Sequence, residues 1–175
     1  MMMKNFSKNP TIEGYESIRF KTNGSIVAYT NQYGLVGSVY NSDVAEAFRY
    51  DPEFVKEMPE EGTVMVLNRD NGLVIPAHDQ IDFGRFYIGV VRFEPGLFLG
   101  ADFKNWNDLF SQGFVPLAII GQVRVKLHPS FEYHIGDKLV SYIDGTARPL
   151  MHSDDEWFGK VIKLYKNDYC LTLIK

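Results

Sequence analysis

Five turn dipeptides punctuate the chain: Asn23-Gly24, Asn71-Gly72, Pro95-Gly96, Asp144-Gly145 and Asn167-Asp168. Such pairs close tight hairpins, and between them the periodic segments are short. A chain cut this way has little room for long helices. The pattern predicts strands over residues 17–20, 25–29, 35–40, 63–67, 73–75, 86–93, 115–127, 138–143, 157–164 and 169–174. The expected fold is all-β: a compact β-barrel or sandwich of short antiparallel strands with one or two short helices, preceded by a short-stranded N-terminal arm.

Alternation sharpens the expectation in one segment. Val123, Val125 and Leu127 share one face, and Gln122, Arg124 and Lys126 share the other, as in a sheet buried on one side. Residues 114–120 are apolar on both faces, which predicts a central strand, with Pro116 marking its start or a bulge. Helical signal is scarce. Residues 43–50 suit a helix of about two turns. Residues 51–57 suit one further turn, with Pro52 at the first helical position. Residues 105–110 are a third helical candidate, read in preference as a loop within a polar insertion, 101–113.

Two domains are expected: an arm with short β-strands over 1–41, and a denser β domain over 42–175. The first is rich in Ser, Thr, Asn and Gly and cannot bury much apolar area alone. It is therefore expected to pack on another subunit, on the main domain or on a larger assembly. Its start, MMMKNFSKNP, is too polar and short for a secretory signal. No apolar run approaches the ~20 residues that span a bilayer, so no membrane partner is expected. The formal net charge of −4 argues against nucleic acid, whose phosphates need a basic surface. Cys170, the single cysteine, rules out an intrachain disulfide and reads as a buried, inert thiol in the last strand.

Chemistry-bearing residues are few. Asp43 and Glu46, three apart behind Ser42, have capping-box spacing: Asp43 would accept from the amide of residue 46, and Glu46 would reach back to the amide of residue 43. A second reading places the pair beside a labile Ser42–Asp43 bond, where one carboxyl acts as acid and the other as base. Phe103, Trp106 and Phe110 offer aromatic faces for a receptor or glycan, or else cover the barrel end. The stretches 152–156 and 78–82 read as solvated polar loops, and His128 and His134 as surface residues between strands. No phosphate loop, dinucleotide-binding glycine motif, nucleophile elbow or zinc-protease motif occurs. No metal, no cofactor and no enzyme acting on a separate substrate is expected.

Taken in order, several segments form a recognisable series: SDVAEAF at 42–48, EGTVMV at 61–66, GVV at 89–91 with PGLFLG at 95–100, VPLAIIGQVRVK at 115–126, GDKLV at 136–140, GKVIK at 159–163 and LTLI at 171–174. This resembles the self-cleaving intramolecular chaperone domain at the C-terminus of bacteriophage tail spikes, neck appendages and tail-fibre-like proteins. Residues 17–27 resemble the short-stranded repeats that lead into such domains. The resemblance implies a homotrimer that helps a β-rich fibre to fold and register, and a cut at a Ser–Asp bond assisted by the new N-terminal Asp and a Glu three residues on. On this chain those are Ser42, Asp43 and Glu46, a peptidase of at most a single turnover. Only 42 residues precede that bond, so a permanent trimeric virion part is expected, made in the host cytoplasm and held to other virion proteins through residues 1–41. The alternatives are the autoproteolytic chaperone itself and a receptor-binding, glycan-binding or capsid-decorating module.

Overall fold

A computed structural model describes residues 19–22, 25–31, 34–37, 43–78, 86–100, 103–152, 156–165 and 168–175, with backbone alone for the segments up to residue 37. The chain divides into two compact units, Met1–Ser38 and Val39–Lys175.

The first unit holds β1 (Arg19–Thr22), β2 (Ser25–Asn31) and β3 (Gly34–Gly37), an antiparallel meander in that order. Arg19 faces Tyr29, and Ala28 faces Gly37. Residues 17–18 and 38–40, also expected in strands, lie outside the described residues.

The second unit holds β4 (Asp43–Arg49), β5 (Val64–Leu67), β6 (Val74–Pro76), β7 (Tyr87–Val91), β8 (Leu97–Leu99), α1 (Trp106–Ser111), β9 (Phe114–Lys126), β10 (Lys138–Tyr142), β11 (Thr146–Pro149), β12 (Gly159–Leu164) and β13 (Tyr169–Ile174). The strands join as β11-β10-β12-β13-β9-β7-β5-β6, with β4 on β9 and β8 parallel to β4. The sheet is mostly antiparallel and curls into a half-barrel. Among the described residues no helix is long and apolar enough to cross a membrane.

β9 organises the domain. β4 pairs along its first half and β13 along its second, and both reach Gly121: Asp43 and Ile174 register with that residue. Val123, Val125 and Leu127 point into the barrel and are buried, as the alternation predicts. They join Ala45, Val64, Val66, Ile75, Val90, Leu139, Val161 and Cys170 in the main core. From Val115 to Ala118 both faces of β9 are buried. There Val115 and Leu117 face outward and pack with Met65, Val74 and Val91 in a second core. Pro116 sits where its missing donor does least harm. Arg92 donates its amide to the Pro116 carbonyl one residue past the end of β7, so the absent reciprocal bond falls outside the β7 ladder. Beyond the end of β6, whose outer edge meets Tyr50 and Asp51 at Val74, the turn between β10 and β11 closes on the chain, where the Gly145 amide donates to the Ala77 carbonyl at 2.9 Å. Gly145 has φ +66, and a Cβ there would lie 2.4 Å from Thr63 Cγ2, so the closure requires glycine.

Two local expectations are corrected. Residues 43–49 form a strand, not a helix. A seven-residue helix is marginal alone, whereas here every residue finds a partner on β9 from Gly121 to Phe114. Residues 106–111 form a helix rather than a loop. Asn105 caps it by accepting from the Asp108 amide at 3.0 Å, and Asp108 accepts in turn from the Lys104 amide at 2.9 Å. The reciprocal capping expected at 43–46 is thus found, in variant form, at 105–108. β8 and β11 were not foreseen. The turn at 51–57 forms as expected: the amides of Phe54 and Val55 both reach the Asp51 carbonyl.

Candidate functional site: the Asp43 junction and the aromatic loop

Asp43 opens β4, and its side chain is fully buried. A buried carboxylate is costly unless charged and polar donors surround it. Here Arg92 Nε donates to Oδ2 at 3.0 Å, and the Gly96 amide donates to Oδ1 at 3.1 Å. The Arg92 guanidinium also binds the Glu61 carboxylate through Nη1. One arginine therefore clamps two carboxylates, and the turn around Pro95-Gly96 closes over the first. This corrects the helix-cap reading: the Asp43 carboxylate takes the amide of Gly96, not that of residue 46.

Glu46 lies elsewhere. Residues three apart share a face on a helix but point to opposite faces on a strand. Asp43 and Ala45 face the barrel, while Glu46 is exposed on the outer side. Within one chain the structure does not bring the two carboxylates together. Ser42 lies outside the described residues, so the Ser42–Asp43 bond abuts the described sheet at its first residue. Arg92, Glu61 and Gly96, which hold Asp43, were missed by sequence reasoning. The one signal for Arg92 was a lone cation at the end of the apolar strand 87–91.

The aromatic candidates divide. Phe103 and Trp106 pack against each other at 4.7 Å, and both meet Phe98 edge-on, at 5.2 and 5.5 Å. Phe93 completes the group, 6.0 Å from Trp106. Phe110 is apart, stacked on Tyr50 at 4.6 Å with the Tyr50 hydroxyl donating to the Phe110 carbonyl. All of these rings are half-buried and use much of their faces on one another. Phe93 and Phe98 flank the Pro95-Gly96 turn and belong to the group, though the sequence did not single them out.

Cys170 is buried, and desolvation pushes its thiol up to about 11 despite the Thr172 hydroxyl beside it. His128 is half-buried between Phe131 and Tyr142, which corrects its surface reading, while His134 is exposed next to Glu132 and Asp137. Residues 79–82 and 153–155 of the two polar loops lie outside the described residues. Among the described residues no group of three or more His, Cys, Asp or Glu is placed to hold a metal ion.

The curled half-barrel is a fold found at the C-terminus of a bacteriophage protein, as the resemblance read from the sequence implied. Two solved structures share it. The C-terminal fragment of bacteriophage phi29 gene product 12 aligns with 76% of this chain and 100% of the fragment, at TM-score 0.52 and 17% identity. The pre-mature form of phi29 gene product 12 aligns with 85% of this chain, at TM-score 0.51 and 15% identity, and this chain spans 24% of its length. No protein-family model and no curated sequence matches the chain.

Proposed function

We propose that this chain is a bacteriophage virion structural protein of the tail-fibre, spike or appendage kind, whose half-barrel assembles as a homotrimer and whose residues 1–41 join it to other virion proteins. The observation that carries the reading is the fold shared with the whole of the phi29 gene product 12 C-terminal fragment. The order of sequence segments from residue 42 onward points the same way. Native mass measurement on the full chain tests it. Three copies per particle are expected, and a stable monomer at micromolar concentration would overturn the trimer.

A second reading, self-cleavage at Ser42–Asp43, is favoured by the position of that bond. Asp43 is the first residue of β4, a strand anchored by seven residue pairings with β9, and its side chain is held by Arg92. Hydrolysis would add water across the Ser42 carbonyl carbon and the Asp43 nitrogen, leaving a Ser42 carboxylate and an Asp43 amine. The half-barrel would keep its sheet. Within one copy, the charged group bound to Asp43 is Arg92, which also holds Glu61, while Glu46 lies on the other face of the strand. Intact mass after refolding decides it. Loss of residues 1–42, blocked in Asp43→Asn or Glu46→Gln, supports cleavage. A chain that stays at 20.0 kDa excludes it.

A further inference from the structure

The outer face of the sheet carries apolar side chains that no part of the described chain covers. Ile120 is 52% exposed, Leu173 49%, Leu99 46% and Ile162 36%. The strand registers place them on neighbouring strands, with Glu46, Gln122 and Lys160 interleaved among them. Val44 lies opposite Ile120, and Glu46 opposite Leu99. Leu173 lies between Gln122 of β9 and Lys160 of β12. Ile162 is the extra residue where β12 bulges against β13. Thr172 and Ile174 on either side of Leu173, and Val161 before Ile162, are buried in the barrel, so alternation turns these two side chains outward, while Ile120 lies in step with the exposed Gln122 and Arg124. The result is a strip of exposed apolar side chains, interrupted by Gln122, across β8, β4, β9, β13 and β12.

The strip has charged margins of opposite sign. Glu46 stands exposed at the β4–β8 side, with no cation bound to it among the described residues. Lys160 stands exposed at the β12 side, directly opposite Lys138 on β10. Like charges facing each other across a ladder destabilise it, and no acidic side chain among the described residues offsets this pair. With a net charge of −4, copies of the chain repel one another at long range, and local attraction of this kind would offset that repulsion.

We propose that this strip is the face through which copies of the chain bind one another. Three strips meet around a shared axis, with Glu46 of each copy beside the partner's Lys160 and with Ile120 and Leu173 excluded from water between them. The proposal rests on the trimer reading above and assigns its interface. An apolar centre with charges at the rim is the usual anatomy of such a contact.

The test uses the full chain, with native mass and sedimentation over a dilution series and circular dichroism to monitor folding. Leu173→Lys adds a like-charge contact with Lys160 between two solvated side chains, is expected to keep the fold because the position is exposed, and is expected to raise the concentration at which trimers dissociate about 30-fold or more. Glu46→Lys is expected to weaken assembly, and adding Lys160→Glu to the same chain is expected to restore it. Ile135→Lys, at a position 71% exposed and outside the strip, is expected to leave assembly unchanged. A wild-type trimer that Leu173→Lys does not weaken overturns the proposal while leaving the trimer intact. So does a trimer that Ile135→Lys disrupts equally. If Leu173→Lys instead makes residues 1–42 protease-sensitive without changing the mass of the assembly, the strip holds the chain's own arm and the proposal fails. A monomeric wild type refutes the trimer reading itself.

Discussion

The two halves of β9 present the same inner face and different outer faces. Inward, Ala118, Val123 and Val125 are all buried in one core. Outward, Val115 and Leu117 are buried, whereas Ile120 is half-exposed and Gln122 and Arg124 face solvent. The strand's own alternation does not create this difference. The first half is covered by what the flanking loops bring: Val55 from the turn after Asp51, Phe110 from α1, and Tyr50, stacked on that ring. The second half receives no such cover from the described residues. Apolar side chains with an intrachain partner belong to the fold. Apolar side chains left exposed on five neighbouring strands point to a contact beyond the chain.

The largest expected effect is on the covered half. Leu117→Ala removes a fully buried side chain between β7 and the outer cover. Such truncations cost about 2–5 kcal/mol, because the lost transfer energy adds to the cavity left behind. Urea denaturation in a Leu173→Lys background, where assembly is weakened, isolates that cost. Leu117→Ala should leave the trimer's dissociation concentration nearly unchanged. If it abolished assembly while the fold survived, the covered half would itself be part of the interface, and the contrast between the halves would break.

A smaller effect is expected on the device that holds the cover down. The Asp51 carboxylate accepts from the Asn71 and Asn68 side-chain amides at 2.7 and 3.0 Å and from the Glu53 amide at 2.9 Å. It thereby ties the Val55 turn to the β5–β6 hairpin. The Asn71 bond, then the Glu53 amide and Asn68, hold its carboxyl below the ordinary value of 3.8. Because the folded pKa is the lower one, the stabilisation is complete above the unfolded value and is lost as pH falls through the folded value. The gap in urea midpoint between wild type and Asp51→Ala should therefore be widest near neutrality and shrink below about pH 4. A gap that is constant with pH would show that Asp51 acts by shape alone.

Legibility followed sequence distance. β9 and β13 were readable because their period-two burial lies within one segment, and the turns at Asn71-Gly72 and Asp144-Gly145 because glycine marks a left-handed backbone, with φ +72 at Gly72 and +66 at Gly145. β4 was not. Val44, Ala45 and Phe48 fit a helical stripe locally, and the strand that overrides it begins at Phe114. The Asp43–Arg92 clamp spans 49 residues of sequence and leaves no local trace. β8 and β11 are three and four residues long; β8 pairs in parallel with the distant β4 rather than across a hairpin, and β11 ends on Pro149. The capping logic was sound but misplaced. Asn105 and Asp108 satisfy it because α1 lacks a strand partner and must end its own amides, whereas Asp43 begins a strand whose amides β9 already takes up.

The smallest expected effect is the most informative about the bare half. Leu173→Gln exchanges an apolar side chain for a polar one of similar size at a position 49% exposed. Within one chain its direct neighbours across the ladders are Gln122 and Lys160, so little intrachain packing is lost. The stability of the isolated chain should change by no more than about 0.5 kcal/mol, the usual range for surface substitutions. If the strip is an interface, the apparent loss must grow with protein concentration, because assembly stabilises only the folded state and does so by mass action. Thermal melts at a series of concentrations should then converge for wild type and Leu173→Gln on dilution and separate on concentration. A difference that stays flat across the series would make Leu173 an ordinary exposed leucine, and the outer face of β9 would have one functional half instead of two.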